Sequence, residues 1–107
     1  MKEAGIQTAI CQYLQYQENM GKLIYMRNNS GAVINQKGRF IKFGKRGSAD
    51  IIIFVKGGKT LHVEIKNEKG RMSTSQLEME LKLKQLKHKY YLVRSVDEVE
   101  LLLAKFI

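Results

Sequence analysis

The sequence predicts an α/β (α+β) fold in which helices flank a mixed β-sheet core. Three observations support this class. The chain has 107 residues, enough for one domain, which we assign to residues 1–107. Apolar residues near both ends recur every three or four positions, as in helices, whereas the central apolar residues alternate or run together, as in strands. The predicted element order is α-β-β-β-α-β-α.

The N-terminal third predicts one helix followed by short strands. A helix is expected over residues 3–18, because apolar side chains form a single stripe: Ile6, Ala9, Ile10, Tyr13 and Leu14. Gly21 fits the end of this helix. A strand is predicted from Leu23 to Met26. Two strand arms, Val33–Ile34 and Arg39–Phe43, are then expected to form a hairpin.

The centre of the chain predicts two adjacent strands. The segment from Asp50 to Val55 is apolar on both faces after its first residue, which is typical of a central buried strand. Gly57-Gly58 is a favourable hairpin turn. Along the next strand, from Thr60 to Lys66, apolar and polar residues alternate, so one face is expected to pack while the other stays polar.

Two further helices and one strand are predicted in the C-terminal third. Ser73 to Gln76 has the pattern of a capping box, which opens a helix predicted to run to about His88. Its buried side is expected to carry Leu77, Leu81, Lys84 or Leu83, and Leu86. A strand follows over residues 90–94. A second capping pattern, residues 95–98, opens a last helix expected to reach Phe106.

The charge pattern favours a polyanionic partner. Nineteen Lys and Arg residues exceed ten Asp and Glu residues, giving a formal net charge of +9. No acid lies between Glu18 and Asp50. Basic side chains there alternate with Gly, Asn and Ser, as in loops that contact phosphates, although a solvated surface is the alternative. The candidate DNA-binding residues are Lys37, Arg39, Lys42, Lys45, Arg46 and, further along, Arg71.

Composition also excludes several classes. The longest apolar run, Ile51 to Val55, is too short to cross a membrane. One cysteine, Cys11, excludes Cys-rich zinc folds and an internal disulfide. We therefore expect a protein of the cytoplasm, without a membrane partner.

Asp50, Glu64 and Lys66 form the candidate chemical site. Asp50 begins one predicted strand, while Glu64 and Lys66 lie two residues apart on the next strand and so share a face. The hairpin between the strands brings Asp50 near that face. Mg²⁺ is typically held by one or two carboxylates and keeps waters for a substrate phosphate. A lysine beside the ion could orient or deprotonate the attacking water or hold the phosphate.

These residues carry a resemblance to a known family. Gly47-Ser48-Ala49-Asp50, thirteen further residues and then Glu64-Ile65-Lys66 resemble the PD-(D/E)xK nuclease pattern. Gly70-Arg71-Met72-Ser73 with Gln76, and Glu3 with Ile6-Gln7, make the chain similar to the stand-alone bacterial or phage members of the VRR-NUC family. One departure is Ala49, where the family often has proline; it removes a rigid turn but no ligand.

The resemblance implies a restriction-endonuclease-like fold and hydrolysis of DNA phosphodiesters with Mg²⁺ or Mn²⁺. By that resemblance, Asp50, Glu64 and the backbone carbonyl of Ile65 hold the metal, with possible help from Glu3. Lys66 is catalytic, and Gln76 lies beside the site. The resemblance also implies a homodimer that cuts branched DNA such as four-way (Holliday) junctions.

Two other functions fit parts of the sequence. A non-catalytic nucleic-acid-binding module would explain the basic charge, but it would gain nothing from two acids facing a polyanion unless a cation bridges them. A toxin-like ribonuclease would usually use His or Arg for acid–base chemistry. Neither His62 nor His88 lies in a convincing catalytic pair in the sequence.

Overall fold

Three helices, a four-stranded sheet and a separate hairpin make up the computed structural model, which describes residues 1–107. The elements, in chain order, are α1 (Glu3–Asn19), β1 (Leu23–Arg27), β2 (Gly31–Ile34), β3 (Phe40–Phe43), β4 (Ile51–Val55), β5 (Lys59–Ile65), α2 (Thr74–Gln85), β6 (Lys89–Val93) and α3 (Val96–Leu103). None of these helices is long and apolar enough to span a bilayer.

The main sheet is mixed, as the sequence predicts. Its strand order is β1-β4-β5-β6. β4 pairs antiparallel with both β1 and β5, and β5 pairs parallel with β6, so that α2 forms the crossover between the two parallel strands. The predicted order α-β-β-β-α-β-α holds for the elements of this sheet and its helices. The β2–β3 hairpin is a separate two-stranded sheet inserted between β1 and β4.

One face of the main sheet carries the hydrophobic core. The inward residues of β4 and β5 alternate along each strand, as the sequence predicts for β5, and pack against α1 and α3. The buried core residues are Ile6, Ile10, Leu14, Leu23, Ile51, Ile53, Val55, Leu61, Val63, Ile65, Val93, Val99, Leu102 and Leu103. The opposite face of β5 therefore points away from α1 and α3.

The opposite face of the sheet differs from the sequence prediction in two ways. The side chains of Leu77, Leu81 and Leu86 are 52%, 59% and 70% exposed, and α2 buries no residue. β4 is central but not buried on both faces, because Phe54 is 41% exposed. A helix about 10 Å wide covers roughly two strands spaced at about 4.8 Å. Since α2 packs beside β6, it leaves the β1–β4 side of this face uncovered.

The helix ends also differ from the predicted limits. α2 stops at Gln85 rather than His88, and α3 stops at Leu103 rather than Phe106. The capping box at Ser73 is complete. At the second box, the Ser95 hydroxyl accepts the N–H of Glu98 at 3.2 Å, but the Glu98 carboxylate accepts the N–H of Arg94 rather than that of Ser95.

Candidate metal centre

Asp50 is held at the start of β4 by contacts on both sides. The backbone N–H of Asn28, just after β1, donates to the carbonyl of Asp50 at 2.7 Å, and the Asn28 side-chain amide donates to the carbonyl of Ala49 at 3.0 Å. The Asp50 carboxylate accepts the N–H of Ile65 at 2.8 Å. The carboxylate is thus fixed against the end of β5, where Glu64 lies.

Glu64 is an acidic residue in a buried position, with only 1% of its surface exposed. Strand alternation points its side chain away from Val63 and Ile65, toward the α2 side of the sheet. There the Gln76 side chain donates from Nε2 to Oε2 of Glu64 at 2.9 Å. The Lys66 ammonium lies 3.7 Å from the same oxygen. The other carboxylate oxygen, Oε1, is buried and has no hydrogen-bond partner in the protein.

Glu3 completes a cluster of three carboxylates. It is the first residue of α1. One carboxylate oxygen each from Glu3, Asp50 and Glu64 lie within 4.8 Å of one another. The sequence interval between Glu3 and Asp50 is too long for any local rule to pair them. Packing of α1 on the sheet brings the third acid into the cluster.

The cluster is electrostatically strained without a cation. Burial raises the pKa of the Glu64 carboxyl to about 8, and the neighbouring charges of Asp50 and, more weakly, Glu3 act in the same direction. Lys66 lowers this pKa but does not offset the other effects. In the metal-free site these effects together favour the protonated form of Glu64.

The residues present fit a hard divalent cation such as Mg²⁺ or Mn²⁺. Carboxylate oxygens are the donors that these ions prefer, and three of them converge here. A cation would also supply the missing partner of the buried Oε1 atom of Glu64. Ile65 contributes its N–H to Asp50; a contribution from its carbonyl stays a prediction.

Lys66 is held by the loop that follows β5. Its side chain is 13% exposed. A Cβ placed on Gly70 would lie 3.2 Å from Cβ and 3.3 Å from Cδ of Lys66, so the loop packs closely on the lysine stem. The Arg94 guanidinium donates to the carbonyls of Asn67 and Gly70 and clamps this loop against the end of β6.

Comparison with known proteins supports the fold. No family model and no curated protein matches the chain. A solved structure titled "VRR_NUC domain" matches 100% of this chain and 99% of that one, with a TM-score of 0.68 and 20% sequence identity. The chain has the VRR-NUC fold. The resemblance noted from the sequence motifs is confirmed at the level of the fold.

The VRR-NUC fold gathers five of the predicted site residues. Glu3, Asp50, Glu64, Lys66 and Gln76 lie together at one end of β4 and β5 and at the start of α1 and α2. Their roles in chemistry stay predictions.

The predicted DNA-binding residues are all exposed and lie in the β2–β3 hairpin or in loops. Lys37, Arg39 and Lys42 belong to the β2–β3 hairpin and its turn, and Arg71 lies in the loop before α2. Lys45 and Arg46 occupy the loop that ends at Gly47. A Cβ on Gly47 would lie 2.2 Å from the carbonyl oxygen of Ser75, so this basic loop packs directly on the first turn of α2.

Sequence reasoning missed two residues that hold the site, Arg94 and Asn28. Arg94 carries no motif, and its contacts with Asn67 and Gly70 cross 24 or more residues of sequence. No sequence pattern assigned Asn28 to the site, yet its backbone N–H and side-chain amide fix the backbone at Asp50 and Ala49. Gly47 belonged to the motif, and its close approach to Ser75 gives a physical reason for glycine at that position.

Proposed function

We propose that this chain is a metal-dependent DNA endonuclease that uses Mg²⁺ or Mn²⁺. The observation that carries the proposal is the convergence of the Glu3, Asp50 and Glu64 carboxylates within 4.8 Å, with the Lys66 ammonium 3.7 Å from Glu64. Three acids beside one another, one of them the buried Glu64, are unfavourable unless a cation joins them. A structural ion pair would not need the second and third carboxylates.

The site residues divide into ligands and neighbours. Asp50 and Glu64 would hold the ion, Glu3 would assist directly or through water, and the Ile65 carbonyl is a further candidate ligand by resemblance. A bound Mg²⁺ would polarise the phosphoryl oxygen and lower the pKa of a bound water. Lys66 is positioned to hold the phosphate or orient the attacking water by its charge. Gln76 fixes the orientation of Glu64 through its hydrogen bond.

The charge distribution supports nucleic acid as the substrate. The net charge is +9, and the loop carrying Lys45 and Arg46 packs on α2 one residue before Gln76. A phosphate backbone that contacts this loop would therefore pass close to Glu64. Three acids near a basic loop suit a phosphodiesterase site, because an ion held by the acids would meet a phosphate that the loop helps to bind.

The first test is cleavage of plasmid and synthetic DNA with and without metal. We expect cutting with Mg²⁺ or Mn²⁺ and none in chelator. Glu64→Gln keeps the shape and the acceptor oxygen facing Gln76 but removes the charge, so it should abolish cutting while leaving DNA binding equal or tighter. The matched control is Glu78→Gln, an exposed acid on α2, which should cut normally. Full activity in chelator would contradict the proposal.

A non-catalytic binding module is the competing function, and metal binding separates the two. Isothermal titration of the DNA-free protein with Mn²⁺ should give a site that Glu64→Gln weakens at least tenfold and Glu78→Gln does not. DNA binding without cleavage, together with no Mn²⁺ site, would favour the module.

We also propose that the chain acts as a homodimer. The β2–β3 hairpin stands apart from the main sheet, and all eight residues of its strands are exposed. A two-stranded hairpin is at best marginally stable alone in water. Its large apolar side chains would gain burial against a second copy: Val33, Ile34, Phe40, Ile41 and Phe43. α3 is a poorer candidate because Leu102 and Leu103 already belong to the core.

Light scattering tests the dimer directly. The expected mass is about twice 12.3 kDa. Phe40→Glu should give the monomer, whereas Leu101→Glu, which alters an exposed apolar residue on α3, should remain dimeric. A wild-type monomer at micromolar concentration would exclude the dimer.

Two sites related by a two-fold axis would suit branched DNA, because a four-way junction has nearly the same symmetry. A labelled junction should receive paired cuts at symmetric positions, faster than a linear duplex of the same sequence. Equal cutting of flaps, single strands and junctions would exclude junction selectivity and leave the nuclease proposal intact.

A further inference from the structure

A second basic surface lies at the far end of α2 from the acidic cluster. Between Glu80 and Asp97 the chain contains no acid, and it carries five Lys or Arg residues and one His. Part of this stretch lines a concave pocket of about 460 Å³. The pocket residues are Lys84, Lys87, His88, Lys89, Tyr90 and Tyr91, which we call the α2–β6 pocket.

The charges in the α2–β6 pocket are poorly neutralised within the protein. Lys84 pairs with Glu80 at 3.3 Å across an exposed helical turn, a contact of little energy in water. Lys87 and Lys89 form no ion pair. His88 instead contacts the ring of His62 edge-on at 5.9 Å between centroids. Several cations around one concavity repel one another unless an anion enters it.

The backbone at Lys87 gives an independent reason to assign a ligand. α2 ends in a Schellman motif, in which the N–H of His88 donates to the carbonyl of Leu83 at 2.9 Å and the N–H of Lys87 donates to that of Lys84 at 3.0 Å. This motif places residue 87 in the left-handed region, with φ 70°, and it is the one non-glycine residue of the chain with positive φ. Glycine is the usual residue at this position because a side chain there strains the backbone. Lys87 bears that strain and places its cation at the pocket.

The position of the pocket relates it to the acidic cluster. Glu64 pairs with Leu92, whereas Lys89 pairs with Leu61, three residues earlier on β5. Three residues of strand span about 10 Å. Lys84 lies eight residues along α2 from Gln76, about 12 Å of helix. At about 3.4 Å of axis per base pair, a duplex lying along α2 would reach the pocket about three base pairs from the cluster.

We propose that the α2–β6 pocket binds backbone phosphates of the DNA about three base pairs from the phosphodiester at the acidic cluster. The inference rests on the proposed function for its substrate. It assigns a contact at the last turn of α2, whereas the Lys45–Arg46 loop packs on the first turn of that helix. The DNA would then run along α2, over the acidic cluster, with basic contacts at both ends.

DNA binding in chelator tests the pocket without requiring cleavage. The variant Lys84→Gln/Lys87→Gln/Lys89→Gln should flatten the log–log dependence of affinity on salt by about 2 to 3 units, since each lost phosphate contact removes about 0.9. The control Lys22→Gln/Lys56→Gln/Lys105→Gln removes the same charge from exposed positions in the α1–β1 connection, the β4–β5 turn and the segment after α3. It should leave the slope unchanged. An equal change in both variants would overturn the proposal, because net charge alone would explain it.

Lys87→Gly separates DNA contact from a structural role. Glycine relieves the positive φ, so the melting temperature should stay the same or rise, while the salt slope should flatten by about one unit. A stable variant with the wild-type slope would overturn the assignment of Lys87. If the lysines only stabilise the C-terminal end of α2, replacing them would lower the stability of the protein and leave its DNA affinity unchanged. That result would overturn the proposal as a whole.

A neutral methylphosphonate linkage then locates the contact. Placed about three base pairs from the mapped cut, it should weaken wild-type binding several-fold and leave Lys87→Gly almost unaffected. Equal weakening of both proteins would place that phosphate elsewhere and overturn the proposed position. If no cut exists, the nuclease proposal fails, while the salt slopes in chelator still decide whether the pocket contacts DNA.

Discussion

Gln76 joins the cap of α2 to the acidic cluster: its Nε2 donates to Oε2 of Glu64 at 2.9 Å while its Oε1 accepts the N–H of Ser73 at 2.8 Å. Both ends of one amide are occupied, so the side chain has a single orientation. The residue that stabilises the start of a helix therefore also fixes a buried carboxylate. Four predictions concern this site and the residues that support it.

Replacing Gln76 should affect stability in a way that depends on pH. Gln76→Ala removes half of the capping box and should cost about 1 kcal/mol of unfolding free energy. Gln76→Glu can keep the cap but brings another carboxylate to Glu64, so its loss of stability should be larger at pH 8 than at pH 5 in metal-free protein. Urea unfolding measures both. A Gln76→Glu variant with the same loss at both pH values would contradict the contact with Glu64.

The raised pKa of Glu64 predicts that metal-free protein loses stability as pH rises. The carboxyl binds its proton more tightly in the folded state, with a pKa of about 8, than in the unfolded chain, with a pKa near 4.5. Between these values the folded state holds more protons, so the free energy of unfolding falls with increasing pH and levels off above about 8. The difference in melting temperature between wild type and Glu64→Gln should follow this course. A difference independent of pH would contradict it.

Arg94 should position Lys66 through the loop that it clamps. Arg94→Ala removes two charged hydrogen bonds to the carbonyls of Asn67 and Gly70 and should cost about 2 kcal/mol of stability. If Lys66 acts in catalysis, kcat should fall with little change in Mn²⁺ affinity, because Asp50 and Glu64 are untouched. Arg94→Lys, which keeps one donor group, should recover part of kcat. Loss of Mn²⁺ binding in a folded Arg94→Ala protein would show that the clamp acts on the metal ligands instead.

Gly47→Ala should destabilise the protein by more than an ordinary glycine replacement. Gly47 has φ 84°, and an added Cβ would lie 2.2 Å from the carbonyl oxygen of Ser75. Gly38→Ala is the matched control, since its φ is similar at 76° but nothing lies within 4 Å of the added atom. The control should lose about 1 kcal/mol from backbone strain alone. A larger loss for Gly47→Ala measures the clash, and equal losses would mean that the basic loop does not press on α2.

Local patterns were sufficient to predict most elements and the centre of the site. The Asp50–Val55 and Thr60–Lys66 segments predicted a hairpin, and a hairpin alone brings Asp50 close to Glu64, because its register is set by a short turn. The capping box at Ser73 likewise predicted the start of α2. Its last residue, Gln76, is also the residue that contacts Glu64. These features depend on contacts between neighbours in sequence.

The buried side of α2 could not be predicted in the same way. Leu77 and Leu81 lie four residues apart, the spacing that places two side chains on one helix face, which indicated a packed face, yet the structure exposes both. The pattern records that one face is apolar but not whether another element covers it. The β2–β3 hairpin and the outer face of β1 and β4 also carry exposed apolar side chains. For the hairpin, we propose that a second copy of the chain covers them.

The sequence by itself determined the order of the elements, the inward residues of the core and the pairing of Asp50 with Glu64, because each follows from period, turn chemistry or short-range register. Only the tertiary structure decided that Glu3 joins those acids, that Arg94 clamps the loop behind Lys66, and that the lysines after Glu80 surround a pocket. Those relationships join residues far apart in the chain. They arise when α1, α2 and β6 pack on the sheet, and the free energy of that packing has no signature in the local sequence.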